Sequence, residues 1–446
     1  MALSKPTVEE SPFTPFLMKL TAYSSGGPFL DGYILVIIGI ALIQLGPALQ
    51  LDTFWTGMIG AAALAGLFLG GAVFGYVTDL VGRKLMYTID LLAIIILSIL
   101  QMFVTTPMEL FLLRFAIGIA VGADYPIATS LLAEFAPRKY RGILLGGLIV
   151  MWYAGACTAN IVGFAFANTP GGWRWMLGSA AIPALILVLG RWGTPESPRW
   201  LASKGRTDEA RAVIKQVYGP EVDIENLSEA TSEKTRYSKL FEPEYLKRII
   251  FVGGYWMAQI VPCFAIYTFG PTILGSFGLE AGNLAILGDG LISLFFLLGC
   301  IPALFLINTM GRRPMLIWSF VFMTLAMCIL GFFPTASTLI IMSAFALYAF
   351  FSGPPSVLDW VYPNELFPTD IRASAVGLCT AISRIGAAIG TFLLPFSLKS
   401  LGIGSTMLIC AVITLIGLLL SILMAPETKG MTLAQSSAVP SYGEKQ

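Results

Sequence analysis

The sequence predicts an all-α membrane protein of twelve transmembrane helices arranged as two six-helix repeats. Three observations carry this. Of 446 residues, 56% are hydrophobic and only 12% charged, with a mean hydropathy of +0.80; a soluble domain carries roughly 25% charged residues. Twelve apolar runs reach the ~20 residues that cross a bilayer. A set of polar landmarks recurs halfway along the chain.

The runs cover 27–49, 55–78, 86–105, 108–132, 142–166, 174–193, 249–275, 285–307, 314–333, 337–361, 373–398 and 402–424. Between the sixth and seventh lies a polar stretch rich in Lys, Arg, Glu and Ser. The expected organisation is a first bundle at 1–193, a linker with short helices at 194–248 and a second bundle at 249–446. Within the linker, Thr207 is placed to cap a short amphipathic helix, DEARAVIKQVY, that Gly219 ends. Residues 1–20 are mixed in character and lead directly into the first run, so that run is expected to be retained rather than cleaved. All Lys and Arg residues except Arg114, Arg174, Arg384 and Lys399 fall on one side of this arrangement. That side holds both termini and the linker, which makes it cytoplasmic.

Composition also excludes classes. A net charge of +1 gives no pull toward nucleic acid. The six cysteines lie in apolar stretches without a CxxC pair and read as small packing residues. No histidine is present, so no metal or cofactor is expected and any proton must ride on a carboxylate. No nucleotide loop or catalytic triad supports an enzyme.

The repeat is specific. Glu134, Pro137 and Arg141 recur as Glu365, Pro368 and Arg372; Gly82-Arg83-Lys84 recurs as Gly311-Arg312-Arg313; PESPR at Pro195 recurs as PETKG at Pro426. The offsets are 229 to 231 residues. Parallel six-helix repeats place a transported substrate near the bilayer midplane, between the halves.

These same residues carry a resemblance covering nearly the whole chain. GYVTDLVGRK, from Gly75 to Lys84, resembles the loop signature of the major facilitator superfamily. PESPRWL, WVYPNELFPTDIR and PETKG are similar to segments of its sugar-porter family. The resemblance implies the major facilitator fold, a bacterial inner membrane, and a small-molecule substrate moved with protons by a monomer. It further implies a charge network at the cytoplasmic face from Asp79, Arg83, Glu134, Arg138 and Arg141, with a weaker second copy from Arg312, Glu365 and Arg372. Trp360 matches a substrate-contacting tryptophan, and Arg114 a fourth-span arginine that pairs with the first span.

The sugar-holding positions depart from that family. Ile149 stands where sugar porters carry a glutamine, Phe264 replaces an asparagine, and of a glutamine pair only Gln259 survives. Each buried sugar hydroxyl left unpaired costs about 1–3 kcal/mol, which weakens a hexose reading. FLDGY around Asp31 and GADYP around Asp124 and Tyr125 instead resemble phosphate and organic-ion symporters. In sugar porters the first-span aspartate falls where this chain has Tyr33, about 200° away around a helix.

A charge at the centre of a span costs roughly 2.5–3.5 kcal/mol on insertion scales and calls for a reason. Asp31, Asp124 and Arg384 have no charged counterpart in the other repeat, where Pro262, Pro355 and Tyr153 stand. Asp31 and Asp124 are therefore read as proton carriers, assisted by Arg114. Arg384 is read as the substrate-contacting cation, with Trp360, Gln259, Trp152, Tyr125 and Tyr267 lining the site. Asp90 and Asp359, nearer the cytoplasmic ends, are read as structural. The resulting expectation is a proton-coupled symporter of a small organic anion; a sugar or polyol symporter and a facilitative uniporter are the alternatives.

Overall fold

The computed structural model describes residues 13–136, 138–191, 194–219, 237–278, 283–307, 309–367 and 371–431. Fourteen helices are present among them: α1 (Pro15–Ala48), α2 (Thr53–Val81), α3 (Arg83–Gln101), α4 (Pro107–Phe135), α5 (Arg138–Phe166), α6 (Gly172–Gly178), α7 (Ala181–Gly190), α8 (Pro198–Ser203), α9 (Thr207–Tyr218), α10 (Pro243–Ser276), α11 (Asn283–Leu306), α12 (Arg312–Phe332), α13 (Thr338–Leu366) and α14 (Arg372–Met424). Ten stretches of described helix are long and apolar enough to cross a membrane. The expected twelve crossings are recovered from two further features. The first 18 residues of α4 carry Glu109, Arg114 and Asp124, which lowers its apolar score. The α14 stretch holds two crossings, broken at Gly402, whose φ of +78° is left-handed and suits glycine.

Local chemistry sets the helix ends. Thr14 Oγ1 accepts from the Leu17 N–H, and Pro15 occupies the first helical position of α1. Thr106 and Glu109 form a reciprocal capping box at the start of α4. In α9, Arg206 rather than Thr207 occupies the cap position, and Thr207 is the first helical residue; no side-chain cap forms there. Gly219, at φ +95°, ends α9.

The sequence repeat is visible as repeated geometry. Glu196 Oε2 accepts from the backbone N–H of Lys84 (3.0 Å), just after Gly82 (φ +112°) at the start of α3. Glu427 accepts from the N–H groups of Arg312 (3.0 Å) and Arg313 (3.1 Å), just after Gly311 (φ +94°) at the start of α12. In both repeats a distant glutamate thus satisfies the free N–H groups of a helix N-terminus, where negative charge is favoured.

Close helix packing is built on small residues. A Cβ on Gly66 or Gly70 of α2 would stand 2.1 Å from a backbone oxygen of α4, at Phe115 and Ile119 respectively. Gly32 and Gly155 bring α1 and α5 together in the same way, against the carbonyls of Trp152 and Phe29. Outward-facing Leu85, Ile96, Ile161, Phe305 and Val412 are all more than half exposed, a surface that suits lipid rather than water.

The two repeats meet directly at the end of the molecule opposite the termini. There Phe54 and Phe392 make an edge contact at 6.0 Å. Lys399 Nζ reaches Thr53 Oγ1 at 3.5 Å, and a Cβ on Gly39 would fall 2.5 Å from the Thr268 carbonyl. Gly147 and Gly377, nearer the terminus end, have no neighbouring atom within 4 Å of where a Cβ would stand.

Candidate functional site

Between the repeats lies a narrow cavity of about 50 Å³, open at its mouth. Its walls come from α5 (Ile149, Trp152, Tyr153), α10 (Trp256, Gln259, Ile260, Cys263, Phe264), α13 (Ser356, Asp359, Trp360) and α14 (Arg384). The walls are mostly aromatic and aliphatic with a few polar groups, the usual make-up of a small-molecule site. Trp152 packs edge-on to Phe264 (5.9 Å), and Trp256 edge-on to Trp360 (5.7 Å).

The polar wall is partly spoken for. Tyr153 and Ser356 share a 2.6 Å hydrogen bond that joins α5 to α13. The Gln259 side-chain NH₂ donates to Ser352 (2.9 Å) and Ser356 (3.0 Å). The two charged groups are different. Arg384 is 7% exposed and Asp359 4% exposed. Nε and Nη1 of Arg384 and Oδ1 of Asp359 are buried with no hydrogen-bond partner among the described residues. The Arg384 guanidinium instead lies 5.5 Å from the centre of the Phe264 ring, a cation–π contact.

Arg384 feels two acids electrostatically, Asp359 and Asp31. Asp31 is buried on α1, one residue before Gly32, whose close approach to Trp152 brings this turn of α1 to the cavity wall. Asp124 on α4 interacts with Asp31 and rests against Gly27, one turn along α1. Asp90 on α3 interacts with Asp124 in turn. Written as carboxylates, neither Asp31 nor Asp124 has a donor among the described residues.

Of the residues read from sequence as substrate contacts, Arg384, Trp360, Gln259 and Trp152 line the one cavity. Tyr267 sits behind it, packed on Trp152 at 5.4 Å. Arg114 reaches α1 through the Ile34 carbonyl (3.1 Å) and meets no carboxylate among the described residues. Tyr33, at the sugar-porter aspartate position, bonds Ser179 instead (2.6 Å). In the second charge network, Arg312 pairs with Glu365 at 2.8 Å, and Thr428 donates to the same carboxylate. The side chains of Asp79, Arg83, Tyr125, Glu134, Arg138, Arg141 and Arg372 lie outside the described residues.

Three acids gain importance from the structure. Asp359, read as structural, stands in the cavity wall. Asp90, read the same way, joins Asp124 and Asp31. Asp289 on α11 stands outside the residues the sequence points to. It is 1% exposed, abuts Gly270, and interacts with Asn160, which donates to Ser293 at 3.0 Å across the two repeats. Its signal in the sequence was an acid between two glycines inside an apolar run.

Comparison with known proteins agrees with this architecture. Residues 18–439 match the family model for "Sugar (and other) transporter". The chain is 50% identical over 433 residues to YaaU of Escherichia coli, named as a metabolite transport protein, with 97% of each chain covered. It is 40% identical to the inner membrane metabolite transport protein YgcS of Escherichia coli, over 100% of this chain and 99% of that one. Among solved structures, the fold is similar to the xylose transporter XylE of Escherichia coli in a partially occluded inward-open conformation. That match has a TM-score of 0.82 at 22% identity, covering 94% of this chain and 100% of the other. The chain belongs to the sugar (and other) transporter family: it is a multi-pass membrane transporter of the major facilitator fold, not an enzyme.

Proposed function

We propose that this transporter is a proton-coupled symporter of a small metabolite bearing an anionic group, working by alternating access in the inner membrane. The observation that carries the reading is Arg384. It is a buried guanidinium in the cavity wall with unmade hydrogen bonds. A planar carboxylate fits that fork in a bidentate way. Asp31 and Asp359 already act on Arg384, so a substrate anion adds negative charge to a site that has its own. Protons entering with the substrate remove that excess, and the buried Asp31 and Asp124 carboxyls are where we place them.

In this account the 1–193 and 249–446 bundles rock about the cavity, linked through 194–248, and one chain suffices. The contacts at the end opposite the termini close that side. The Lys/Arg distribution makes it the extracytoplasmic side, with both termini cytoplasmic. Networks around Glu134 and Glu365 hold the other side when it closes.

A sugar or polyol is the second reading. Gln259 lines the cavity with a side-chain carbonyl that suits a hydroxyl, and a relative at 30% identity is named the major myo-inositol transporter of Bacillus subtilis. A thermal-shift screen of purified protein against sugars, organic acids and aromatic acids, at two pH values, separates the readings. Carboxylates are expected to stabilise the wild type, Arg384→Lys to weaken this sharply and Arg384→Ala further. Stabilisation by neutral sugars alone, unchanged in Arg384→Ala, overturns the anion reading.

A further inference from the structure

We infer that the substrate is a hydroxylated carboxylate, with its carboxylate on Arg384 and a hydroxyl on Asp359. This rests on the anion reading above and narrows it.

The cavity wall carries a guanidinium and a carboxyl group, each with buried polar atoms that no described residue answers. Arg384 can only donate hydrogen bonds, and the Asp359 carboxyl can accept one whether or not it is ionised. Both are more than nine-tenths buried, and both have buried polar atoms without a partner among the described residues. They interact electrostatically across the cavity, yet they do not close into an ion pair within 4.0 Å. A gap between a donor and an acceptor, each left unsatisfied, is filled best by a molecule offering an acceptor at one end and a donor at the other. Leaving either group unanswered in a buried site is costly.

A plain carboxylate answers only Arg384 and sets its own charge near Asp359. A plain polyol answers Asp359 but gives Arg384 only neutral acceptors. A carboxylate with hydroxyl groups answers both. A further hydroxyl has the Gln259 side-chain carbonyl within the same wall, and the carbon chain has Trp152, Trp256, Trp360 and Phe264 to pack on. An ammonium group would also satisfy Asp359, but it has no acceptor and leaves the neutral polar wall without a hydroxyl to meet.

The test is a binding comparison on the purified full chain, using gluconate and glycerate, their unhydroxylated counterparts hexanoate and propionate, the neutral polyol sorbitol, and norleucine. Wild-type protein is expected to bind at least one hydroxy acid about tenfold or more tighter than its unhydroxylated counterpart and tighter than sorbitol. Asp359→Asn is expected to shrink the hydroxy-acid advantage to within about threefold, while Arg384→Ala abolishes carboxylate binding. Equal binding of hexanoate and gluconate overturns the inference but leaves the anion reading standing. Sorbitol binding as well as gluconate overturns the anion reading itself. Preference for norleucine, or no binding of either hydroxy acid, also contradicts the inference. The wild-type ranking decides the matter even if Asp359→Asn fails to fold.

Discussion

Gly27 of α1 lies directly against the carboxylate of Asp124 on α4: a Cβ added to Gly27 would stand 1.7 Å from Oδ2. No side chain fits there without moving the acid. Asp31 follows one turn later on the same face of α1, so this single close approach sets the geometry of both acids. Gly27→Ala is expected to swing Asp124 away from Asp31 and Asp90. We predict that proton-driven accumulation falls about tenfold or more, while the purified protein still folds and binds substrate. Wild-type accumulation by the alanine variant would show that the Asp124 position is unimportant.

The Tyr153–Ser356 hydrogen bond ties the first repeat to the second beside the cavity. Tyr153→Phe removes the hydroxyl and keeps the ring stacked on Phe296. Ser356 retains Gln259 and the Ser352 carbonyl as partners, so the loss should be about 0.5–1.5 kcal/mol. A small fall in melting temperature and less than about threefold change in substrate affinity are expected. A large loss of affinity would place the tyrosine in contact with substrate.

Arg312 and Glu365 are 11% and 16% exposed, so their pairing is shielded from water. Glu365→Gln keeps the shape and removes the charge, leaving Arg312 with its Ile307 carbonyl contact and little else to balance it. The expected cost is about 1–3 kcal/mol, read as a lower melting temperature and faster labelling of cysteines placed at the terminus end. Unchanged labelling would remove this pair from the gating account.

Orientation is testable with two cysteines. Asn168 is exposed at the end opposite the termini, and Ser203 belongs to the linker side. The six native cysteines are buried or half-buried and offer little background. In intact cells a membrane-impermeant thiol reagent is expected to label Asn168→Cys, and to label Ser203→Cys only after permeabilisation. The reverse pattern inverts the topology.

Much of this architecture was legible in the chain because the bilayer imposes a length rule. Runs of ~20 apolar residues can hardly be anything but crossings, and the paired PESPR and PETKG motifs announced the duplication. Helix ends were less legible. The structure carries α1 back to Pro15 and α10 back to Pro243, beyond the apolar runs at 27 and 249, because a helix continues into the polar zone wherever caps and partners allow. At the site, Arg384, Trp360, Gln259 and Trp152 could be found from charge and motif alone. Asp359 and Asp90 could not be assigned that way. What distinguishes them is which residues face them from other helices, Arg384 in one case and Asp124 in the other, and a linear sequence does not state this. Arg114, whose resemblance implies pairing with the first span, meets α1 through the Ile34 carbonyl, a backbone partner that no side-chain motif announces.

On the proposed mechanism, protons drive an anionic substrate through this cavity by way of Asp31 and Asp124. The most direct measurement reconstitutes the wild type, Asp31→Asn and Asp124→Asn in liposomes. It follows uptake of the ligand found by the binding screen, with and without an imposed pH gradient, alongside exchange in the absence of any gradient. Each unit of pH gradient supplies about 1.4 kcal/mol, or tenfold accumulation for one proton. We predict uphill uptake by the wild type that a protonophore abolishes, and loss of uphill uptake with retained exchange in at least one of the two variants. Uphill uptake at wild-type level in both variants, or wild-type uptake indifferent to the gradient, would contradict the account.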